Sequence, residues 1–314
     1  MGKIIFSIGG NALIRRGEAG TIEEQFENAE AACSAVARLS SKGGAIIITH
    51  GNGPIVGNII IRGEAARDKV PPMPLYIDDA DSEGGIGFMI QQTIYNRLKK
   101  LNKHIDVVTV VTQVVVDAGD AAFGHPTKPV GPFYSREEAL TLEKEKGWRV
   151  VEDSQRGFRR VVPSPRPLRV VEAGVIKKLS ESGVIVIAAG GGGVPVVEKA
   201  DGTLRGVDAV VDKDLATSLL ARETGAEVFI NLTQIECVYI NFGKPDQSPL
   251  RELELRDARK YLARGEFAPG SMAPKIEAAV EFLTYGGREV FITTPELVED
   301  ALSGHAGTRV FSGG

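Results

Sequence analysis

The sequence predicts an open α/β fold, a mainly parallel sheet sandwiched by helices, and two observations carry that expectation. Short, continuous apolar runs recur along the chain and end in glycine-rich turns, as strands buried on both faces require. Longer stretches with helical periodicity and helix-start signals lie between them. The length of 314 residues allows one or two domains, and the alternation favours a single unit over 1–314.

The elements follow in order. Lys3 to Ile8 reads as a strand ending at Gly9-Gly10. Thr21 with Glu24 forms a capping box for a helix running to about Lys42. Ala45 to Thr49 is a second buried-type strand, broken by His50-Gly51-Asn52-Gly53-Pro54. A helix is expected over Glu83 to Lys100, then a strand over Val107 to Thr112. From Ala118 to Pro167 the rhythm stops. This Pro-, Gly- and Arg-rich stretch has one clear helix, Ser135 to Glu145, and Phe133, Trp148, Val150 and Phe158 as apolar anchors. It reads as an inserted lid subdomain. The alternation resumes with a helix near Val170 to Ser182, a strand over Val184 to Ala189 and a hairpin around Asp201-Gly202. A helix starting near Asp212 and strands Val228 to Leu232 and Cys237 to Asn241 come next. Ser271 to Tyr285 is helical, with Ile276, Ala279, Val280 and Leu283 on one face. A strand, Val290 to Thr293, and a helix from Pro295 close the chain.

Composition removes several function classes. The net charge of −4, from 37 basic and 41 acidic residues, gives no basic field for nucleic acid. The basic run Arg156-Gly157-Phe158-Arg159-Arg160 is better accommodated inside the lid. No apolar run reaches the length of a membrane span, and the N-terminus enters a strand without a leader pattern. Cys33 and Cys237 have neither disulfide nor metal spacing, and the four histidines form no ligand set, so no protein-held metal is expected. The expected setting is the cytoplasm.

Chemistry concentrates in three glycine turns after predicted strands: Gly9-Gly10-Asn11-Ala12, the His50 to Pro54 turn, and Gly190 to Gly193. One such turn is as often a tight bend as a site. Three of them at the ligand-binding edge of a parallel sheet point to backbone amides cradling an anion, helped by following helix N-termini. No P-loop and no G-x-G-x-x-G opening a helix occur, which weighs against a dinucleotide fold. Lys128, Lys213 and Lys275 stand in unusual settings: within a Pro-rich run, between two aspartates, and early in the best helix. Each alone reads as a surface lysine. Together with the turns they favour phosphoryl transfer, a reaction that needs fixed cations more than covalent chemistry. Asp214 suits a first-turn acid or an orienter of lysines. His50 lies within ligand reach of its turn.

With these residues set out, the chain resembles the carbamate kinases of the amino acid kinase superfamily from end to end. The resemblance rests on Gly9 to Ala12, Thr49 to Pro54, Pro126 to Phe133, Glu152-Asp153, Arg159 to Pro165, Gly190 to Pro195, Asp212 to Asp214 and Pro269 to Lys275. The Pro126 to Pro165 stretch looks like the protruding lid that distinguishes carbamate kinases. The resemblance implies reversible phosphoryl transfer between ATP and carbamate, giving ADP and carbamoyl phosphate, with Mg2+ accompanying the nucleotide. Gly9, Gly10, Asn11, Gly51, Asn52 and Gly53 would hold the substrate and phosphoryl group. Lys128, Lys213, Asp214 and Lys275 would be the catalytic set. Gly191, Gly192, Leu232, Thr233, Tyr239, Met272 and Pro274 would border the nucleotide. A homodimer is implied, packed through the helix with Gly85 to Phe88 and Gln91-Gln92. Departures occur at Ile55, Glu83, Gln234 and Glu236, and Glu83 would repel an anion if it faced the pocket. The competing readings are another small-acid kinase of this superfamily and a non-catalytic nucleotide or anion sensor.

Overall fold

The computed structural model describes residues 2–10, 13–14, 17–152 and 157–313. The chain begins β1 (Ile4–Ile8), α1 (Ile22–Ser40), β2 (Ile46–His50), α2 (Gly53–Ala65), α3 (Leu75–Lys100), β3 (Val107–Val110) and β4 (Gln113–Val116). The inserted stretch holds β5 (Lys128–Tyr134), α4 (Arg136–Lys146), β6 (Arg149–Glu152) and β7 (Phe158–Val162), and β8 (Pro167–Val170) leads back. Next come α5 (Ala173–Glu181), β9 (Ile185–Ala188), β10 (Val194–Glu198), β11 (Leu204–Gly206), α6 (Lys213–Thr224) and β12 (Val228–Leu232). The remainder is β13 (Val238–Ile240), β14 (Ser248–Leu250), β15 (Glu252–Glu254), α7 (Leu255–Ala263), α8 (Met272–Thr284), β16 (Glu289–Thr293), α9 (Val298–Leu302) and β17 (Thr308–Phe311).

Eight strands form the main sheet in the order β15-β17-β16-β12-β1-β2-β9-β3, parallel except for the β16–β17 pair. Because strand side chains alternate between faces, β1, β2 and β12 feed two cores at once. Ile5, Ile47 and Phe229 point into a core with α5, α6 and α8. Ile4, Phe6, Ile48 and Ile230 point the other way, against α1 and α3. The register then puts a polar row at the C-terminal ends of the apolar strands, with Ser7 beside both Asn231 and Thr49. This row shares the α6 face with Ile5, Ile47 and Phe229.

The insert has its own three-stranded sheet, β5-β7-β6, with α4 against it. Its stem is β4 paired antiparallel with β8, and β10 lies along the other side of β4. Trp148 organises the interior. Tyr134 tilts against it at 6.3 Å, and Lys146 and Arg160 lie over its ring at 4.7 and 4.6 Å. Arg160 thus packs within the inserted stretch. Lys146 also pairs with Glu64, tying the insert to α2.

Several boundaries differ from expectation. The helix expected from Glu83 starts at Leu75, because its first turns bury Asp78, Asp79 and Ser82 in place of apolar residues. The single strand expected over Val107 to Thr112 ends at Val110, and the chain turns into β4 of a second sheet. The helix near Val170 begins at Ala173, Val170 being the end of β8. Cys237 precedes β13, and both cysteines are buried and unbridged. The Asp201-Gly202 hairpin is present between β10 and β11. Among the described residues, no helix is long and apolar enough to cross a membrane.

Candidate active site

The C-terminal ends of β1, β2 and β12 open on a cavity of about 450 Å3, within the range of small-ligand sites. Its floor is main chain. The turns after β1 and β2 pack backbone on backbone: a Cβ at Gly51 would lie 2.5 Å from the Gly10 nitrogen. Gly51 N–H donates to the Ile8 carbonyl at 2.8 Å, and Gly9 N–H to that of Leu232 at 3.3 Å. The bends are therefore fixed by the strands themselves.

Among the described residues, only the turn after β2 runs straight into a helix, α2, with Pro54 in its first turn. The Gly190 to Gly193 turn instead leads into β10, with Gly191, Gly192 and Gly193 at φ of 68, 107 and 83°. A helix dipole is therefore available at one turn and not at all three.

Above the floor stands a charged cluster centred on Asp214. Asp212 caps α6 by accepting from the Asp214 and Leu215 amides, which places Lys213 and Asp214 in the first turn. Asp214 is 5% exposed and accepts from Lys213 Nζ at 2.6 Å and Asn231 Nδ2 at 2.7 Å. It also accepts from Lys275 Nζ at 3.0 Å and Ser7 Oγ at 3.2 Å. Lys275 comes from the first turns of α8, so one carboxylate joins two helices and two strands. Burial alone would push the Asp214 carboxyl up, but the two ammonium groups overcome it and hold it well below the usual carboxylate range. Burial pushes the Lys213 ammonium down to about 8, with Lys275 adding to the effect and Asp214 opposing it. From the lid, Lys128 reaches Asp212 Oδ2 at 2.8 Å and joins the same rim.

Of the residues singled out in the sequence, Gly9, Gly10, Gly51, Asn52, Gly53, Lys128, Gly191, Lys213, Asp214, Leu232, Thr233, Tyr239, Met272, Pro274 and Lys275 all line this cavity. Asn11 and Ala12 lie outside the described residues, as do Asp153 and Arg156. Gly192 is not brought to the wall. It is buried behind it, where a Cβ would lie 2.3 Å from the Val211 carbonyl.

His50 is also behind the turn. It is buried, donates from Nδ1 to the Gly51 carbonyl at 3.2 Å, and burial pushes its pKa down to about 4, so it stays neutral. Glu83 does not face the cavity. Its Oε2 accepts the Thr112 amide at 2.7 Å, and burial, aided by Asp79 and Glu172, raises its pKa well above normal. Glu236 turns outward to Arg251 at 2.6 Å, whereas Gln234 does line the cavity.

Sequence reasoning missed Ser7, Asn231 and Thr49, the last bonded to Thr217 of α6 at 2.7 Å. Their signal was a polar residue near the end of an otherwise apolar strand. It also missed Phe242, 62% exposed on the cavity rim and tilted against Tyr239 at 6.1 Å.

A cavity floored by glycine amides and rimmed by lysines on a shared carboxylate suits phosphoryl groups. Comparison with known proteins agrees. The model of the amino acid kinase family matches residues 2–294. Carbamate kinase from Pyrococcus furiosus is 47% identical over 313 residues, covering 99% of both chains. The chain belongs to the carbamate kinases of the amino acid kinase family. The carbamate kinase-like protein YahI of Escherichia coli is 46% identical over 310 residues, 98% of each chain. Carbamate kinase from Giardia lamblia, solved bound to AMP-PNP, superposes with a TM-score of 0.93 at 42% identity, covering 99% of this chain and 98% of that one. This member of the family is thus an ATP-dependent kinase with the amino acid kinase fold.

Among the described residues no group of three or more His, Cys, Asp or Glu side chains could hold a metal ion. Asp214 Oδ1 accepts from Lys213 and Asn231 and its Oδ2 from Lys275, and Asp212 Oδ2 is held by Lys128. The cluster does not fit a protein-bound metal.

Proposed function

We propose that the chain transfers a phosphoryl group reversibly between ATP and carbamate, forming ADP and carbamoyl phosphate. The observation that carries this reading is the buried Asp214 carboxylate fixing Lys213 and Lys275 beside the glycine floor. In the direction of ATP formation, a β-phosphate oxygen of ADP attacks the phosphorus of carbamoyl phosphate in line. The phosphorus–oxygen bond to the carbamoyl group breaks, and carbamate leaves as an anion. No proton moves, so no general base is required, in keeping with an Asp214 carboxylate paired with two ammonium groups.

The work left to the protein is positioning and charge neutralisation. The Gly10 and Gly53 amides, with Asn11, hold the transferring group and the acceptor, on a bend that Gly9 and Gly51 fix through their own bonds to Leu232 and Ile8. Lys213 and Lys275 neutralise its charge, and Lys128 closes over it from the lid. Met272, Pro274, Leu232, Thr233, Tyr239 and Gly191 border the nucleotide. Mg2+ would accompany the nucleotide, supplying further neutralisation of phosphate charge beside Lys213 and Lys275. A homodimer through α3 uses Gly84, Gly85, Phe88 and Gln92, which are exposed, whereas Ile86 and Gly87 of the same segment are buried.

The test is ATP formation from ADP, Mg2+ and carbamoyl phosphate, with acetyl phosphate in parallel. Rapid synthesis from carbamoyl phosphate and little from acetyl phosphate is expected. Silence with both, in protein that still binds ADP, would overturn the proposal.

A further inference from the structure

Asn52 caps α2 by position, yet its side chain makes no capping bond to the helix amides. Its Nδ2 donates instead to α3, to Asp79 Oδ1 at 3.1 Å and to Ser82 Oγ at 2.9 Å. The direction of that second bond is forced. Ser82 Oγ lies 2.7 Å from the Asp79 main-chain carbonyl, which can only accept, so the single hydroxyl proton is spent there. Ser82 Oγ is left as an acceptor, and the Asn52 atom facing it must be the nitrogen. Both amide protons are thereby committed to the wall. Gly191 packs against the amide plane, where a Cβ would lie 2.2 Å from Nδ2 and 2.9 Å from Oδ1. The polar atom that Asn52 keeps for the cavity it lines is its carbonyl oxygen, an acceptor.

This acceptor stands beside the donors of the floor and rim, the glycine amides and the lysines. The glycine amides and the lysines serve phosphate and carboxylate oxygens, which only accept. In carbamate and carbamoyl phosphate the amino group is the one donor. We propose, resting on the reaction proposed above, that Asn52 Oδ1 reads this amino group and so separates carbamoyl phosphate from its methyl counterpart, acetyl phosphate. Ser82 and Asp79 are positioning residues that hold the amide in this sense. With acetyl phosphate bound, Oδ1 faces a methyl group and loses its water without gaining a partner, the situation in which polar sites discriminate most strongly.

The experiment compares kcat/KM for ATP formation from carbamoyl phosphate and from acetyl phosphate in wild type, Asn52→Leu and Ser82→Ala. Leucine keeps the shape of asparagine and removes the acceptor. The carbamoyl-to-acetyl ratio is expected to fall about ten-fold or more in Asn52→Leu. In Ser82→Ala the amide can turn, and the ratio falls by a few-fold. A ratio unchanged in Asn52→Leu, or both substrates lost in equal proportion, would overturn the assignment, because Asn52 would then only shape the turn. If Asn52→Leu no longer binds ADP, Ser82→Ala decides alone, and an unchanged ratio there overturns it. A wild-type protein that makes no ATP from carbamoyl phosphate overturns the reaction itself, a failure visible before any variant is measured.

Discussion

Replacing Asp214 with Asn tests the organisation of the site most directly. The carboxylate is 5% exposed and receives ammonium hydrogen bonds of 2.6 and 3.0 Å. At an effective dielectric constant of about 20, each contact contributes roughly 5 kcal/mol of gross attraction, much of it offset by desolvation. Asparagine keeps the shape but leaves two buried ammonium groups without a counter-charge. Breaking a buried ion pair in this way costs about 3–5 kcal/mol. For a chain of this length that is a fall in Tm of ~5–8 °C by thermal unfolding at low ionic strength. Inorganic phosphate should restore more of the variant's Tm than it adds to wild type, since an anion can occupy the vacated charge position. Turnover should drop about a hundred-fold or more as the lysines lose their aim.

The pH dependence has a definite sign. Asp214 is held below the usual carboxylate range, so its stabilisation is fully present above the unfolded aspartate pKa of about 3.9. It is lost as pH falls through the lower folded value. The gap between wild type and variant should therefore hold from about pH 5 to 7 and close only in strong acid. A Tm drop below about 2 °C with unchanged turnover would refute the reasoning, because the carboxylate would then be carrying neither the fold nor the lysines.

Asp79 should behave in the opposite way. Burial, aided by Asp78 and Asp208, raises its pKa to about 8, so the folded state holds a proton that the unfolded state releases. Stability is lost as pH rises from about 4 to 8, and Asp79→Asn should stabilise by up to ~4 kcal/mol at pH 7 and by nothing at pH 4, read from urea unfolding. Phe242→Ala should raise KM for ADP about five- to ten-fold with kcat little changed, since it removes an exposed aromatic rim and no charge. Gly51→Ala forces a Cβ to 2.5 Å from the Gly10 nitrogen, where only backbone can yield. Its Tm should fall by several degrees and its KM for carbamoyl phosphate should rise; an alanine variant with unchanged Tm and KM would show that the two turns are not tightly coupled.

Much of the site was legible because its parts are unusual locally. Glycine turns after apolar strands and lysines between prolines or aspartates need no tertiary information to stand out. The polar row of Ser7, Thr49 and Asn231 was harder, because each is a single polar residue in a buried strand and only register brings them together. The first turns of α3 were missed for a related reason. Asp78, Asp79 and Ser82 are buried though polar, Asp79 and Ser82 against Asn52, so the helical period of hydrophobic residues starts late. The run from Val107 to Val116 hid a change of sheet, since β-branched residues on both sides of Val111-Thr112 give no sign of where one strand stops. Gly192 looked like its neighbours in sequence, and only the Val211 carbonyl behind it separates a packing glycine from one that meets the cavity.

The main-chain floor also limits how this enzyme's selectivity can change. Peptide amides such as those at Gly10 and Gly53 are common to every residue type, so exchanging side chains there cannot retune what they offer; at Gly51, whose amide is held by Ile8, it can only damage the shape. Any drift toward a new acceptor must therefore pass through the few side chains that overlook the floor, chiefly Asn52 on one wall and Lys128 in the roof. Under the proposed reaction, backbone and lysines together serve the phosphoryl group, and the choice of substrate rests with a small number of replaceable side chains around them.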